Sequence, residues 1–188
     1  MVAGVFIGSG VAFILEANIG SDTITVFQDG LHNLLNISYG QASRLYNIVL
    51  LAVAIFFSRK NIGFGTIVSA FVTGYIIDFV LMALCSLFSF NSMIFNFILF
   101  IFGMILYCFG LAVLIVSNAG MNALDAIIYQ LCAIFHYDYK KIRLLVDSLL
   151  TLFGISLGGI FGFGTIASIL LTGTLVDLLC NTMYKKKN

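Results

Sequence analysis

Two aspartates that end two copies of one sequence pattern are the strongest candidates for chemistry in this chain. The stretch IGFGTIVSAFVTGYIID ends at Asp78, and FGFGTIASILLTGTLVD ends at Asp177, 99 residues later. Both acids lie in apolar runs, and an ionisable group inside a membrane costs at least about 2.5 kcal/mol on insertion scales. We therefore expect each carboxylate either to line a route for a solute or ion, or to be neutralised by a structural ion pair.

Two arginines supply partners for the structural alternative. Arg44 and Arg143 each begin the segment that precedes a copy of the motif, which predicts the pairs Arg44–Asp78 and Arg143–Asp177. The glycines, serines and threonines of the motif recur at four-residue spacing, a pattern that also suits close helix packing without any chemistry.

Further candidates for a substrate or ion pathway are polar residues in or beside the apolar segments. Asn-x-Gly breaks occur at Asn18 and Asn118. A helix interrupted there exposes backbone groups that bind ions and substrates in many transporters, although an ordinary turn is the alternative interpretation. Asp29 is expected to face water. The remaining pathway candidates are Thr66, Thr165, Asp125, Glu16, Asn47 and Asp147.

Neither a metal site nor an enzyme is predicted. The two histidines and the four cysteines are scattered, with no Cys-x-x-Cys pair and no cluster at a ligand spacing, so we expect no metal and no cofactor. The metal motif of common hydrolases, His-Glu-x-x-His, is absent from the sequence.

Composition places these residues in a membrane. Of 188 residues, 61% are hydrophobic and 9% are charged, a balance that a soluble domain cannot bury. The net charge of +1 argues against a nucleic-acid partner. A shorter span is predicted over Val2–Ala17. The runs that clearly reach the roughly 20 residues of a spanning helix are Ile62–Leu87, Met93–Ser117 and Ile160–Tyr184.

The two motif copies belong to an internal duplication within a single membrane domain, residues 1–188. Residues 1–90 and 91–188 match in order at an offset of 100 and then 99. Each half is predicted to contain three spans and, after the Asn-x-Gly break, a short amphipathic helix that lies in the interface or is re-entrant. Because three is odd, the second half should be inverted relative to the first.

The positive charges favour this inverted arrangement. With six spans, eight basic residues fall on one side of the membrane and Arg44 alone on the other, and basic residues are enriched on the cytoplasmic side. We therefore expect an all-α polytopic protein with both termini in the cytoplasm. The eight are Arg59, Lys60, Lys140, Lys141, Arg143, Lys185, Lys186 and Lys187.

The Gly-x-Gly-Thr and Gly-x-x-x-Asp motifs, together with GSDTITVFQDGL over Gly20–Leu31, resemble the YczE/YyaS/YitT family of bacterial integral membrane proteins. Members of that family often carry Pro-Trp-Asp where Thr23, Ile24 and Thr25 stand here, and Asp125 occupies the position of the second half equivalent to Thr25. The resemblance implies a multi-pass protein of the bacterial cell membrane and carries over no biochemical activity.

These patterns predict a transporter or facilitator for a small solute, with its site between two inverted repeats. The alternative is a membrane-embedded solute-binding or accessory subunit that needs an energising partner. A stripe of small residues, Gly4, Gly8 and Ala12, offers a surface for another helix of the same or a different chain. The expected partners are the lipid bilayer and a small-molecule solute, with either a second copy of the chain or an energising subunit.

Overall fold

The computed structural model describes residues 2–57, 62–87, 93–117 and 122–187. Every regular element in these ranges is an α-helix, which confirms the all-α prediction. The helices are α1 (Val2–Ala17), α2 (Thr23–Leu35), α3 (Tyr39–Phe57), α4 (Phe64–Leu87), α5 (Met93–Val116), α6 (Ala123–Phe135), α7 (Tyr139–Ser156) and α8 (Phe163–Lys187).

Three of these helices are long and apolar enough to cross a membrane: α3, α4 and α5. The two parts of α8, Phe163–Ile169 and Thr174–Met183, are bent by 47° and make a fourth candidate if they form one span. The sequence led us to expect six spans. The other two expected spans, α1 and α7, are not long and apolar enough to count as spanning helices. α1 has only 16 residues, and α7 has charged residues in its first half.

The outward faces of the long helices are apolar, as lipid contact requires. Phe56 on α3 is 91% exposed, Phe79 on α4 is 71% exposed and Met93 on α5 is 87% exposed. Large apolar side chains at such positions would be unfavourable against water, whereas hydrocarbon solvates them. The described helices are thus compatible with a membrane protein.

The two short amphipathic helices form where the sequence predicts them. α2 and α6 have 13 residues each, so each is about 20 Å long, well short of a 30 Å hydrocarbon core. Both end in a left-handed residue, Asn36 with φ 51° and His136 with φ 55°. Neither helix therefore spans a membrane alone.

α1 and α5 pack against each other in antiparallel directions at the centre of the molecule. The rings of Phe6 and Phe109 lie 5.0 Å apart, and those of Phe13 and Phe102 lie 5.3 Å apart. Residues farther along α1 therefore contact residues closer to the start of α5. α4 packs on α1 and α8 on α5, while α2 contacts α7 and α3 contacts α6.

The small-residue stripe of α1 contacts helices of the same chain. A Cβ on Gly4 would meet Val72 at 3.3 Å, and one on Gly8 would lie 2.9 Å from Ile76. Ala12 is fully buried. The stripe is therefore covered within the chain, chiefly by α4.

Candidate functional site

The chain between α1 and α2 is an interruption held by the start of α8. Asn18 and Gly20 have left-handed φ values of 51° and 114°, which turn the chain between the two helices. The N–H of Gly164 donates a hydrogen bond to the carbonyl of Ile19 at 2.9 Å. A side chain at Gly164 would lie 2.7 Å from the carbonyl oxygen of Gly20. The second Gly-x-Gly-Thr motif is thus a packing surface for the first helix break.

The threonine of this motif completes the attachment. Thr165, fully buried, accepts a hydrogen bond from the N–H of Ser21 at 3.2 Å, and the hydroxyl of Ser168 donates to the carbonyl of Ser21 at 3.3 Å. Thr165, a predicted pathway residue, therefore binds backbone rather than lining the cavity described below. Asn118, at the other predicted break, lies outside the described residues.

Asp22 follows this break at the start of α2 and is 8% exposed. Its carboxylate does not cap the helix that it begins. It accepts hydrogen bonds from the hydroxyls of Thr25 and of Tyr107, the latter at 3.1 Å. In the described part of the chain no Lys or Arg side chain lies within 4.0 Å of it. Among the described residues, Asp22 is thus a buried carboxylate bound by hydroxyl groups alone.

A cavity of about 60 Å³ lies beside Asp22. A water's share of the liquid volume is about 30 Å³, so the cavity has room for about two waters or a solute of a few heavy atoms. Its polar wall comes from α2, α3 and α4, and its apolar wall comes mainly from α1 and α5. The N-cap residues of both short helices, Asp22 and Asn122, line it. The polar lining residues are Asp22, Thr25, Gln28, Ser43, Asn47, Thr66, Thr73, Tyr107 and Asn122.

A buried hydrogen-bond network fixes the α2 side of the cavity. The hydroxyl of Tyr39 on α3 donates at 3.1 Å to the side-chain oxygen of Gln28, and it lies 3.3 Å from the carbonyl of Thr25. All three residues are at most 5% exposed. Because satisfied polar networks are rigid, the cavity wall has a defined geometry.

A second polar cluster joins α6, α7 and α2. Arg143 on α7 binds the carboxylate of Asp125 on α6 and, at 2.9 Å, that of Asp147 on its own helix. Asp147 also accepts a hydrogen bond at 3.2 Å from the hydroxyl of Thr23. Asp177, the partner predicted for Arg143, lies on α8, but its side chain is outside the described set. Asp125 and Asp147, predicted as pathway residues, thus belong to an ion-pair cluster.

Asp78 connects α4 to the start of α3. Its carboxylate accepts hydrogen bonds from the N–H of Gly40 at 2.8 Å and the hydroxyl of Ser38 at 2.9 Å, and it lies 3.7 Å from the guanidinium of Arg44. Helix N-termini have free N–H groups and positive potential, so the acid stabilises this end of α3. The pair predicted from the sequence, Arg44–Asp78, is present, and neither residue lines the cavity.

The other predicted residues fall in different places. Thr66 and Asn47 line the cavity. Glu16 is partly buried in the last turn of α1. The prediction for Asp29 was wrong: it is 6% exposed and accepts a hydrogen bond from the N–H of Ile160 at 2.8 Å. It packs inward because α2 lies inside the protein, where a free N–H of the α7–α8 connection needs an acceptor.

Sequence reasoning missed the central residues of the cavity, Asp22, Thr25, Gln28 and Tyr107. For the first three residues the signal was present as the polar face of the amphipathic α2, of which we had assigned Asp29 to water. In a membrane protein the apolar face of a helix can face lipid while the polar face lies inside. Among the described residues no group of three His, Cys, Asp or Glu side chains is placed to hold a metal ion.

Comparison with known proteins identifies the family without a function. No curated protein and no solved structure matches the chain significantly. One family profile matches residues 1–181, nearly the full length. The chain therefore belongs to DUF6198, a family of unknown function.

Proposed function

We propose that this protein is a transporter or facilitator for a small solute in the bacterial cell membrane. The observation that carries the proposal is the cavity of about 60 Å³ beside Asp22. Its lining comes from both halves of the chain, and it joins a buried carboxylate and several hydroxyls to an apolar wall. Small-molecule sites have this composition, a mostly apolar surface with a few convergent polar groups.

The proposal includes two inverted repeats around this cavity. The first and fifth helices, which are equivalent at an offset of 100, are antiparallel, as inversion requires. A Cβ on Gly10 would meet the backbone of Gly103 and Tyr107, and one on Gly110 would meet that of Ala3 and Ile7. Adding or subtracting 100 converts the residue numbers of the first set of contacts into those of the second, so the two helices contact each other at equivalent positions. The likeness to the YczE/YyaS/YitT family and the cytoplasmic termini remain part of the proposal.

Two interrupted helices at the site support transport over a purely structural role. α2 and α6 both begin at the cavity, where their N-cap residues Asp22 and Asn122 lie. Transporters with inverted repeats often bind solutes at such helix ends near the bilayer midplane. The accessory-subunit alternative loses one support, because the stripe at Gly4, Gly8 and Ala12 is already covered inside the chain.

Flux through reconstituted protein tests the proposal. For glycerol, urea and glycine, proteoliposomes are mixed rapidly with the solute and entry is followed by stopped-flow light scattering. For methylammonium and acetate, the proteoliposomes are adsorbed on a solid-supported membrane and the transport current is recorded. At least one solute should enter faster than into protein-free liposomes. Failure of every solute in this panel would contradict the proposed transport of a small solute.

A cavity-filling variant links the flux to the site. Ala70 on α4 lines the cavity, and Ala70→Leu adds three carbons where there is room for only a few waters. The matched control is Ala133→Leu at an exposed position of α6. Flux should fall with Ala70→Leu and persist with Ala133→Leu, both checked for monodispersity. Equal flux through the two variants would place the route elsewhere.

A further inference from the structure

We propose that the cavity binds a small organic cation, an ammonium or guanidinium group on a short apolar chain; this rests on the proposed function and names its substrate class. The group that recognises the charge is Asp22. Its carboxylate is bound only by hydroxyls among the described residues, with no basic side chain within 4.0 Å. The charge of Arg143 acts on this carboxylate only from beyond ion-pair distance. A buried charge without a contacting counter-ion is expensive, and a cationic ligand supplies that contact.

The rest of the potential at the cavity does not cancel this carboxylate. The start of a helix carries roughly half a positive charge, and α2 and α6 both begin here. Asp22 itself stands at the start of α2, so its full charge outweighs that end. Together the two helix starts offset about one negative charge. The Arg143 cluster at the first turn of α6 adds two carboxylates, Asp125 and Asp147, against one guanidinium, which leaves an excess of one negative charge. The cavity therefore favours a positive ligand over a negative one.

The division of the lining favours an organic ion over a metal ion. Polar groups of α2, α3 and α4 lie on one side, with Gln28, Asn47 and Thr73 among them. Ile7 and Val11 of α1 and Leu111 and Leu114 of α5 form the apolar side. Calcium and magnesium require about six or more oxygen ligands, whereas an ammonium or guanidinium head donates hydrogen bonds and leaves its carbon chain against the apolar wall.

The size of the cavity limits the ligand to a few heavy atoms. About 60 Å³ corresponds to about two waters. This volume is on the scale of ethylammonium or guanidinium and excludes polyamines and nucleosides without rearrangement. Tyr107, whose hydroxyl binds Asp22, also lines the cavity. A ligand head at Asp22 would therefore contact both carboxylate and phenol oxygens.

Equilibrium dialysis with radiolabelled ethylammonium tests the inference. The protein is held in nanodiscs of uncharged phosphatidylcholine, with empty nanodiscs as the blank. Unlabelled guanidinium should displace the label, whereas acetamide, acetate and potassium chloride at equal concentration should not. Absence of binding, or displacement by acetamide or acetate as effective as by guanidinium, would overturn the assignment of a cation.

Variants assign the binding to the carboxylate. Asp22→Asn keeps the shape and removes the charge, and its Kd for ethylammonium should rise at least about thirty-fold, as for loss of a buried charge partner. Asp138→Asn, whose carboxylate is 82% exposed, is the matched control and should bind like the wild type. Ala70→Leu fills the cavity with Asp22 in place and should also weaken binding, which keeps the test decisive if Asp22→Asn does not fold. Unchanged affinity in either cavity variant would remove the site.

The cation assignment and the transport proposal fail in different ways. Binding of ethylammonium in nanodiscs without flux in proteoliposomes would contradict transport and leave the cation site standing, as for a solute-binding subunit. Flux of glycerol, urea or acetate that depends on Ala70, without any ethylammonium binding, would support transport and reject the cation.

Discussion

The N–H of Gly164 and the carbonyl oxygen of Ile19 are joined by a hydrogen bond of 2.9 Å across 145 residues of chain. This bond places the second glycine motif against the first helix break. It occupies a carbonyl that the interrupted α1 leaves free, and it fixes the turn that delivers Asp22 to the cavity. A motif that reads as a small-residue packing pattern therefore positions the candidate site.

A methyl group at this contact should be costly. Gly164→Ala places a Cβ 2.7 Å from the carbonyl oxygen of Gly20 and from the ring of Phe100, and overpacking of this kind costs about 1–3 kcal/mol. Gly4→Ala is the control, because the nearest neighbours of its Cβ would be Val72 at 3.3 Å and Thr73 at 3.6 Å, and alanine is favoured over glycine in helices by about 0.5–1 kcal/mol. Thermal unfolding in detergent, followed by circular dichroism, should show a lower midpoint for Gly164→Ala alone. Equal midpoints for the two variants would show that α8 moves away from the helix break without loss of stability.

Asp78 should matter for stability and not for flux. Asp78→Asn weakens the bonds to Gly40 and Ser38 and removes the pair with Arg44. Since the two side chains of that pair are 30% and 18% exposed, solvent screening limits the loss to about 1–2 kcal/mol. The unfolding midpoint should fall, while solute flux per folded protein stays at the wild-type level. Loss of flux in a stable variant would return Asp78 to the pathway.

Some features of the fold were predictable from the sequence pattern. The short helices α2 and α6 and the Arg44–Asp78 pair are present where the sequence led us to expect them. The position of Asp78 also has a local cause, since Gly74 and Gly40 let α4 and α3 cross without intervening side chains.

The cavity itself was not predictable in this way. Asp22 and Tyr107 are 85 residues apart, and only the packing of α1 on α5 brings them together. Asp29 on α2 was expected to face water because amphipathicity tells which residues share a face and not which medium that face meets. The medium is decided by the neighbours of α2, here α3 and α7.

The Arg143 cluster should couple α6 and α7 energetically. A double-mutant cycle with Arg143→Met and Asp125→Asn measures this. Both side chains are about one third exposed, and Arg143 keeps its pair with Asp147 when Asp125 is changed. We expect a coupling free energy of about 0.5–1 kcal/mol, reduced from the value of a buried pair by solvent. The readout is the unfolding midpoint of the two single variants and the double variant. Strictly additive losses would show that the contact contributes nothing to stability.

The direction of the two halves can be tested at equivalent positions of α2 and α6. Asn33 and Ala133 are 100 residues apart, and both are exposed. Each is changed to cysteine in a variant lacking Cys85, Cys108, Cys132 and Cys180, and a membrane-impermeant maleimide is added to sealed right-side-out vesicles. Inverted repeats place the two positions on opposite faces, so only one should be labelled before lysis and both after it.

The same experiment decides the relation between the two motif aspartates. Under inversion Asp78 and Asp177 lie toward opposite membrane faces, and each half has its own acid at the end of its motif. Under parallel duplication the two cysteines would react together from one side, and the two acids would share a face. Labelling of both cysteines from outside would therefore contradict inverted repeats. It would also remove the argument that the cavity lies between two inverted halves of the chain. Labelling of one alone would support a site at which two interrupted helices meet from opposite sides of the membrane.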